Sequence, residues 1–114
     1  TMRDLVASLT SQFLTVAAIR QTLKEPTSIA IAEDPELFRR VENLLRTVSK
    51  IELMLNPLEQ DHKKLNALMR EGIDQLRSPP QEGIEDCIEV ISHDITRAAQ
   101  AIFKREWMRV KRGE

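Results

Sequence analysis

Two histidines are the residues of this sequence that could most readily bind a metal or transfer a group, and each has carboxylates close by in sequence. His62 follows Glu59 at the Glu-x-x-His spacing, which on a helix turns both side chains to one face, as in bundles that bind two metal ions. Such a centre needs a second Glu-x-x-His and two further inward carboxylates. His93 follows Glu89 one residue too far along the chain. We therefore predict no metal site, and we interpret His62 as a half-buried residue at the edge of an apolar stripe.

The second histidine lies in the segment 91–97, Ile-Ser-His-Asp-Ile-Thr-Arg. This segment resembles the phosphoacceptor box of sensor histidine kinases, in which the histidine is phosphorylated on the first helix of a dimerising hairpin. The resemblance implies a histidine phosphotransfer or kinase-dimerisation fragment with His93 as phosphoacceptor. The residues after the box are Ala-Ala rather than the Pro-Leu of that family, and the sequence ends before a second hairpin helix or an ATP-binding domain. We interpret His93 as a solvated surface residue and keep phosphotransfer as the alternative function.

The remaining chemistry-bearing residues do not form a catalytic pattern. Cys87 flanks an apolar stripe, where a free cysteine behaves as a small hydrophobe, and no basic residue close in sequence would activate its thiol. A single cysteine cannot form an intrachain disulfide, which favours a reducing compartment such as the cytoplasm. No glycine-rich loop follows a strand pattern, so no phosphate-binding loop is expected. We predict no catalytic residue and no cofactor, and therefore a protein that is not an enzyme.

The segment 103–112 combines five basic residues, one acid and the only tryptophan of the chain. Basic amphipathic segments with tryptophan are typical of elements that contact a membrane surface or an acidic partner. The alternative is ordinary helix chemistry, because cations near a helix C-terminus interact favourably with the helix dipole. We predict an interaction face here. Its residues are Phe103, Arg105, Trp107, Arg109 and Val110.

Four segments in which apolar residues recur at helical spacing must position these side chains, and breaks that contain proline separate them. The first covers about residues 3–24 and ends before a Glu-Pro pair at 25–26, because the residue before proline disfavours helix. The second begins with Asp34 as its cap and Pro35 at its first position. The third repeats this pattern with Asn56 and Pro57 and runs to about residue 77. A proline-containing break at 78–81 precedes the fourth segment, which covers about 81–111.

These segments predict an all-α fold, an antiparallel four-helix bundle with a long C-terminal helix. Residues 1–114 form a single helical domain, which could have been excised from a longer protein. The short segment 27–33 is interpreted as a packed connector. Gly72 lies on the apolar face of the third helix, where a missing side chain permits close helix approach. The first helix also carries a second, weaker stripe of small and apolar residues, which are Ala7, Ser11, Leu14 and Ala18.

Charge and hydropathy limit the classes of partner. With 17 basic and 18 acidic residues the net charge is -1, so general attraction to nucleic acid is not expected. The longest uncharged run, 5–19, is shorter than the roughly 20 apolar residues of a membrane span. Surplus apolar surface on the first and last helices predicts a non-catalytic interaction or oligomerisation domain. Its partners would be another copy or another protein.

One further resemblance concerns segments 2–7, 50–62 and 102–111. They are similar to recurring segments of small bacterial proteins in which a short membrane anchor precedes a helical cytosolic domain. The resemblance implies a missing N-terminal anchor and a cytoplasmic position at the inner face of the membrane. Membrane contact is thus expected only through such an anchor or through the basic C-terminal helix. No activity or biological process follows from the resemblance.

Overall fold

The computed structural model describes residues 1–21, 34–77 and 84–113, and within these ranges the chain is all-α, without strands. The helices are α1 (Met2–Gln21), α2 (Pro35–Met54), α3 (Gln60–Arg77) and α4 (Ile84–Lys111). The all-α prediction is therefore confirmed. The predicted breaks at 25–26 and 78–81 and the connector 27–33 lie outside the described residues.

The first residues of α2 and α3 show how local side chains set where a helix begins. The Asp34 side chain accepts hydrogen bonds from the backbone N–H groups of Glu36 and Leu37, and a proline occupies the first turn. This confirms the predicted cap of α2. The predicted start of α3 at Pro57 is wrong, because that helix begins at Gln60.

A separate turn precedes α3. The Asn56 Oδ1 atom accepts a hydrogen bond from the Leu58 N–H at 3.0 Å, and the Asn56 carbonyl accepts one from the Glu59 N–H at 3.1 Å. An asparagine side chain that bonds the backbone two residues on forms a turn instead of a helical cap. Leu58 is consequently 85% exposed, although the predicted start at Pro57 placed it inside the helix.

The apolar stripes of the helices meet in one core. α1 packs against both α2 and α4, and α3 packs mainly against α4. The molecule is elongated, with extents of 55 × 25 × 20 Å. The largest side chains with almost no exposed surface are Leu9, Phe13, Leu37, Leu44, Ile51, Leu65, Met69, Ile88, Ile95 and Ile102.

Gly72 allows α3 to approach the other helices closely. A Cβ atom added there would lie 2.8 Å from Cζ of Phe13 and 3.3 Å from Cγ2 of Ile91. The Phe13 ring is completely buried, so it is enclosed by other core residues. The structure thus confirms the prediction that a missing side chain at this position permits close helix approach.

Two other features concern the helix surfaces. Cys87 is exposed, which corrects the interpretation that it behaves as a small hydrophobe beside the core. The second stripe of α1 is exposed at all of its positions, and Leu14 is its one large side chain. None of the helices in the described ranges combines the length and the apolar character that a membrane-spanning segment requires.

Candidate functional site

Two ion pairs join the C-terminal part of α4 to the start of α3 and the residue just before it. The Arg109 Nη1 atom lies 3.0 Å from Oε1 of Glu59, and the Arg105 Nη1 atom lies 3.3 Å from Oδ1 of Asp61. The arginines are one helical turn apart, so they reach the two acids together. We call these four residues the clasp. The arginines that the sequence assigned to an interaction face therefore bind intramolecular partners.

His62 lies beneath the clasp. Its Nδ1 atom accepts a hydrogen bond from the Asn56 backbone N–H at 2.8 Å. Because Nδ1 is the acceptor, the neutral ring carries its proton on Nε2. The Nε2 atom is 3.0 Å from Oε2 of Glu59, although the two groups are not aligned for a hydrogen bond. His62 is only 5% exposed, which corrects the expectation of a half-buried residue, and it fixes the turn.

The same group offers three ligand atoms to a cation. One atom each from Glu59, Asp61 and His62 lies within 4.8 Å of the others. However, both carboxylates already pair with arginines, and these two positive charges would repel a metal ion bound to the same carboxylates. The arrangement fits a structural tie between α3 and α4 better than a metal centre, and the absence of a metal stays a prediction.

The electrostatics of Asp61 follow from the same contacts. Burial raises the pKa of Asp61, but the hydrogen bond from Arg105 and the positive charge of that arginine outweigh this effect. The pKa of Asp61 is therefore held below its ordinary value of 3.8. The carboxylate stays ionised, and the ion pair persists, until the solution becomes strongly acidic.

Exposed apolar side chains are concentrated around the clasp. We define the clasp end as residues 53–62 and 103–112 together with the first turn of α1, residues 2–5. Leu58 is 85% exposed, Val110 is 75% exposed and Trp107 is 58% exposed. Within the described residues, the large exposed apolar side chains outside this end are Leu14, Phe38 and Val90. Those at the clasp end are Leu53, Met54, Leu58, Trp107, Met108 and Val110.

A shallow groove of about 570 Å³ lies between α1 and α4 at this end. Its lining residues are Arg3, Gln100, Phe103, Lys104 and Trp107. The Arg3 guanidinium is 5.1 Å from the centroid of the Phe103 ring. The Lys111 ammonium is 5.1 Å from the Trp107 ring. Cation–π contacts of this kind place positive charge directly against aromatic faces, so the groove has aromatic walls and basic edges without a lining carboxylate.

The structure brings the predicted interaction residues to one end but gives them different roles. Phe103 packs partly against the core, whereas Trp107 and Val110 are exposed. Arg105 and Arg109 are occupied in the clasp. Arg3 and Leu58 were not predicted, because the helix pairing that brings Arg3 to Phe103 has no local signal and the turn that exposes Leu58 was predicted to be helical.

The alternative phosphoacceptor lies elsewhere on α4. His93 is exposed, between the buried Ser92 and the half-buried Asp94. The Ser92 carbonyl accepts a hydrogen bond from the Thr96 hydroxyl at 3.0 Å, an ordinary contact within the helix. Exposure is needed for a phosphoacceptor, but it is equally the property of a solvated surface histidine.

Comparisons with models of protein families, with curated proteins and with solved structures find no match to this chain. The features that point to a function are therefore the chemistry of the clasp end and the exposed helix faces.

Proposed function

We propose that this chain is a non-catalytic interaction domain and that the clasp end is its docking surface. The observation that carries the proposal is the exposure of Trp107, which lines a basic, aromatic groove, and of Val110 and Leu58 at the same end. Large apolar side chains that cluster on a surface mark contact sites, and tryptophan, methionine and arginine are enriched in interfaces. The clasp supports this role because it holds the end of α4 against α3, which reduces the ordering required on binding.

For the architecture we infer an antiparallel four-helix bundle with a long C-terminal helix. Contacts between distant residues support this arrangement. Arg3 near the start of α1 lies on Phe103 near the end of α4, and Asp61 near the start of α3 pairs with Arg105. Both pairs match the beginning of one helix with the end of another. The docking surface would then lie at one tip of the bundle.

Self-association is the form of interaction that we expect of the exposed face of α1. Leu14 is 45% exposed, and the residues around it on this face are small. A second copy could therefore approach closely and bury Leu14. We expect a different partner at the clasp end. We also propose that the protein lies at the inner face of the bacterial membrane. Any segment preceding Thr1 would leave the domain at the clasp end, because Arg3 contacts Phe103.

Phosphotransfer by His93 is the second candidate function, and the observation in its favour is the exposure of that side chain. Incubation with small phosphodonors such as acetyl phosphate would test this alternative. Acid-labile phosphate that disappears in a His93→Gln variant would support it over the interaction domain.

Sedimentation velocity over a wide concentration range tests the oligomerisation part of the proposal. We expect a monomer–dimer equilibrium that is weakened in a Leu14→Glu variant, because the new charge would have to be buried at the interface. The matched control is Val90→Glu, which introduces the same charge at another exposed apolar position. A protein that stays monomeric at the highest concentration would contradict self-association but not docking at the clasp end.

A further inference from the structure

We propose that the clasp end docks on an anionic membrane surface. Trp107, Val110 and Leu58 would enter the interfacial layer, while Arg3, Lys104, Lys111 and Arg112 face the lipid phosphates. The inference rests on the proposed function, because it names the partner of the same surface.

The distribution of charge at this end favours an anionic partner. The acids Glu59 and Asp61 are neutralised by the clasp arginines. Arg3, Lys104, Lys111 and Arg112 form no ion pair within the described part of the chain. The acids on the same two segments are Asp4 and Glu106, so positive charge remains in excess although the whole chain carries -1. Basic residues close to an anionic leaflet each add to membrane affinity.

The apolar side chains at this end have the form that a lipid surface accommodates. Leu58 and Val110 protrude into solvent, with 85% and 75% of their surfaces exposed. Trp107 exposes more than half of its surface, and the Lys111 ammonium lies over its ring. Tryptophan rings prefer the boundary between headgroups and acyl chains, and aliphatic side chains partition just below it.

Other occupants fit these observations less well. A second copy that met this end symmetrically would bring the same basic residues together, and like charges across an interface are unfavourable. Nucleic acid would satisfy the basic groups, but Leu58 and Val110 would gain no apolar partner from a phosphate backbone. An acidic protein would satisfy the charges and is included as an outcome of the test.

Trp107 provides the readout, because it is the only tryptophan and the chain contains no tyrosine. The protein is titrated with vesicles of phosphatidylcholine alone and with vesicles that also contain phosphatidylglycerol. We expect a blue shift of the Trp107 emission and co-sedimentation with the anionic vesicles only. Both signals should weaken as salt is added, because salt screens the attraction between the basic residues and the lipid phosphates.

A matched pair of charge-reversal variants identifies the surface. Lys104→Glu with Arg112→Glu changes exposed residues of the clasp end, and Arg39→Glu with Arg46→Glu changes exposed residues of α2 by the same net charge. The first variant should lose about tenfold or more in affinity for anionic vesicles. The second should change by less than about twofold, since its charges lie farther from the bilayer than the screening length. Thermal melting followed by circular dichroism checks that both variants fold.

Three results would overturn the membrane inference. They are no binding to anionic vesicles, equal binding to vesicles of phosphatidylcholine alone, and equal losses in the two charge-reversal variants. A poly-glutamate peptide is added as a further probe: if it shifts the Trp107 emission and the anionic vesicles do not, the partner is an acidic protein. The proposed function would then survive while the membrane inference fails. If neither probe binds and the protein is strictly monomeric, both proposals fail.

Discussion

α4 is one continuous helix with two different environments along its length. From Ile88 to Ile102 its isoleucines are buried against α1 and α3. Beyond Ile102 the apolar residues Trp107 and Val110 are exposed, and the backbone is held near α3 by the clasp arginines. Apolar content therefore does not determine burial by itself. An apolar residue is buried only if it lies on a face of the helix that a neighbouring helix covers at that position.

The largest effect on stability should come from Gly72→Ala, which adds a methyl group to the closely packed part of the molecule. The new methyl group would overlap the buried Phe13 ring, and overpacking of this kind costs about 1–3 kcal/mol of unfolding free energy. Urea denaturation measures the loss. Glu71→Ala, at the adjacent exposed position, is the control and should change stability by less than about 0.5 kcal/mol. A Gly72→Ala protein as stable as the original would mean that α3 lies farther from α1 than described.

At the boundary between the two environments, His62→Ala should have the next largest effect. It leaves the Asn56 backbone N–H without its hydrogen-bond partner and removes a buried ring. The lost hydrogen bond is partly buried and costs about 0.5–1.5 kcal/mol, and the missing buried ring adds to the loss. His93→Ala is the natural control, since the same substitution at an exposed position should have almost no effect. Similar losses in both variants would argue that His62 does not support the turn.

The clasp itself should contribute less. Replacing Arg105 and Arg109 by glutamine removes two partly exposed ion pairs, each of which is worth about 0–1 kcal/mol. Because the pKa of Asp61 is lowered in the folded protein, its pair stabilises fully above the ordinary value of 3.8 and is lost as the pH falls below it. Urea denaturation of both proteins at neutral and acidic pH should show the stability difference shrinking below about pH 3.8. A difference that stays constant through this range would place its origin outside the ion pairs.

Trp107→Ala tests the exposed part of α4. In dilute solution the melting temperature should barely change, because exposed substitutions rarely exceed about 0.5 kcal/mol, whereas a buried aromatic such as Phe13 costs about 3–5 kcal/mol when truncated. A loss that grows with protein concentration would show that a second copy covers Trp107, which would contradict docking of this end on a membrane. A large loss at all concentrations would show that Trp107 belongs to the core.

The smallest expected value is the metal content of the purified protein. Elemental analysis of protein purified without chelators should find less than roughly a tenth of an equivalent of iron, manganese or zinc, because three side chains paired with two arginines are a poor ligand set. A full equivalent that disappears in His62→Ala would reverse our interpretation of the clasp. It would also make this end a metal centre.

Much of the fold can be predicted from the sequence because helix starts and apolar stripes are local properties. Asp34 and Pro35 specify the start of α2, and Gly72 is identified by its place on an apolar stripe. The start of α3 was predicted wrongly because Asn56 can form either a cap or a turn, and the bond from Asn56 to His62 favours the turn.

The candidate site was predictable only in part. The composition of 103–112 identified the basic and aromatic residues, but it could not reveal which arginines pair with acids some fifty positions away. The contribution of Arg3 was invisible for the same reason, because it depends on how α1 packs beside α4. Such contacts are set by the three-dimensional pairing of helices and leave no periodic signal in the chain.

The clasp also has a kinetic consequence. Its pairs join residues separated by 44 and 50 positions, so they form only after α3 and α4 have come together. Interactions formed late in folding act chiefly by slowing unfolding. The last turns of α4 and the turn 55–59 should therefore open together as one local unit. Amide hydrogen exchange would detect this unit as similar opening free energies for residues 105–111 and the first turn of α3, both lowered when Arg105 and Arg109 are replaced.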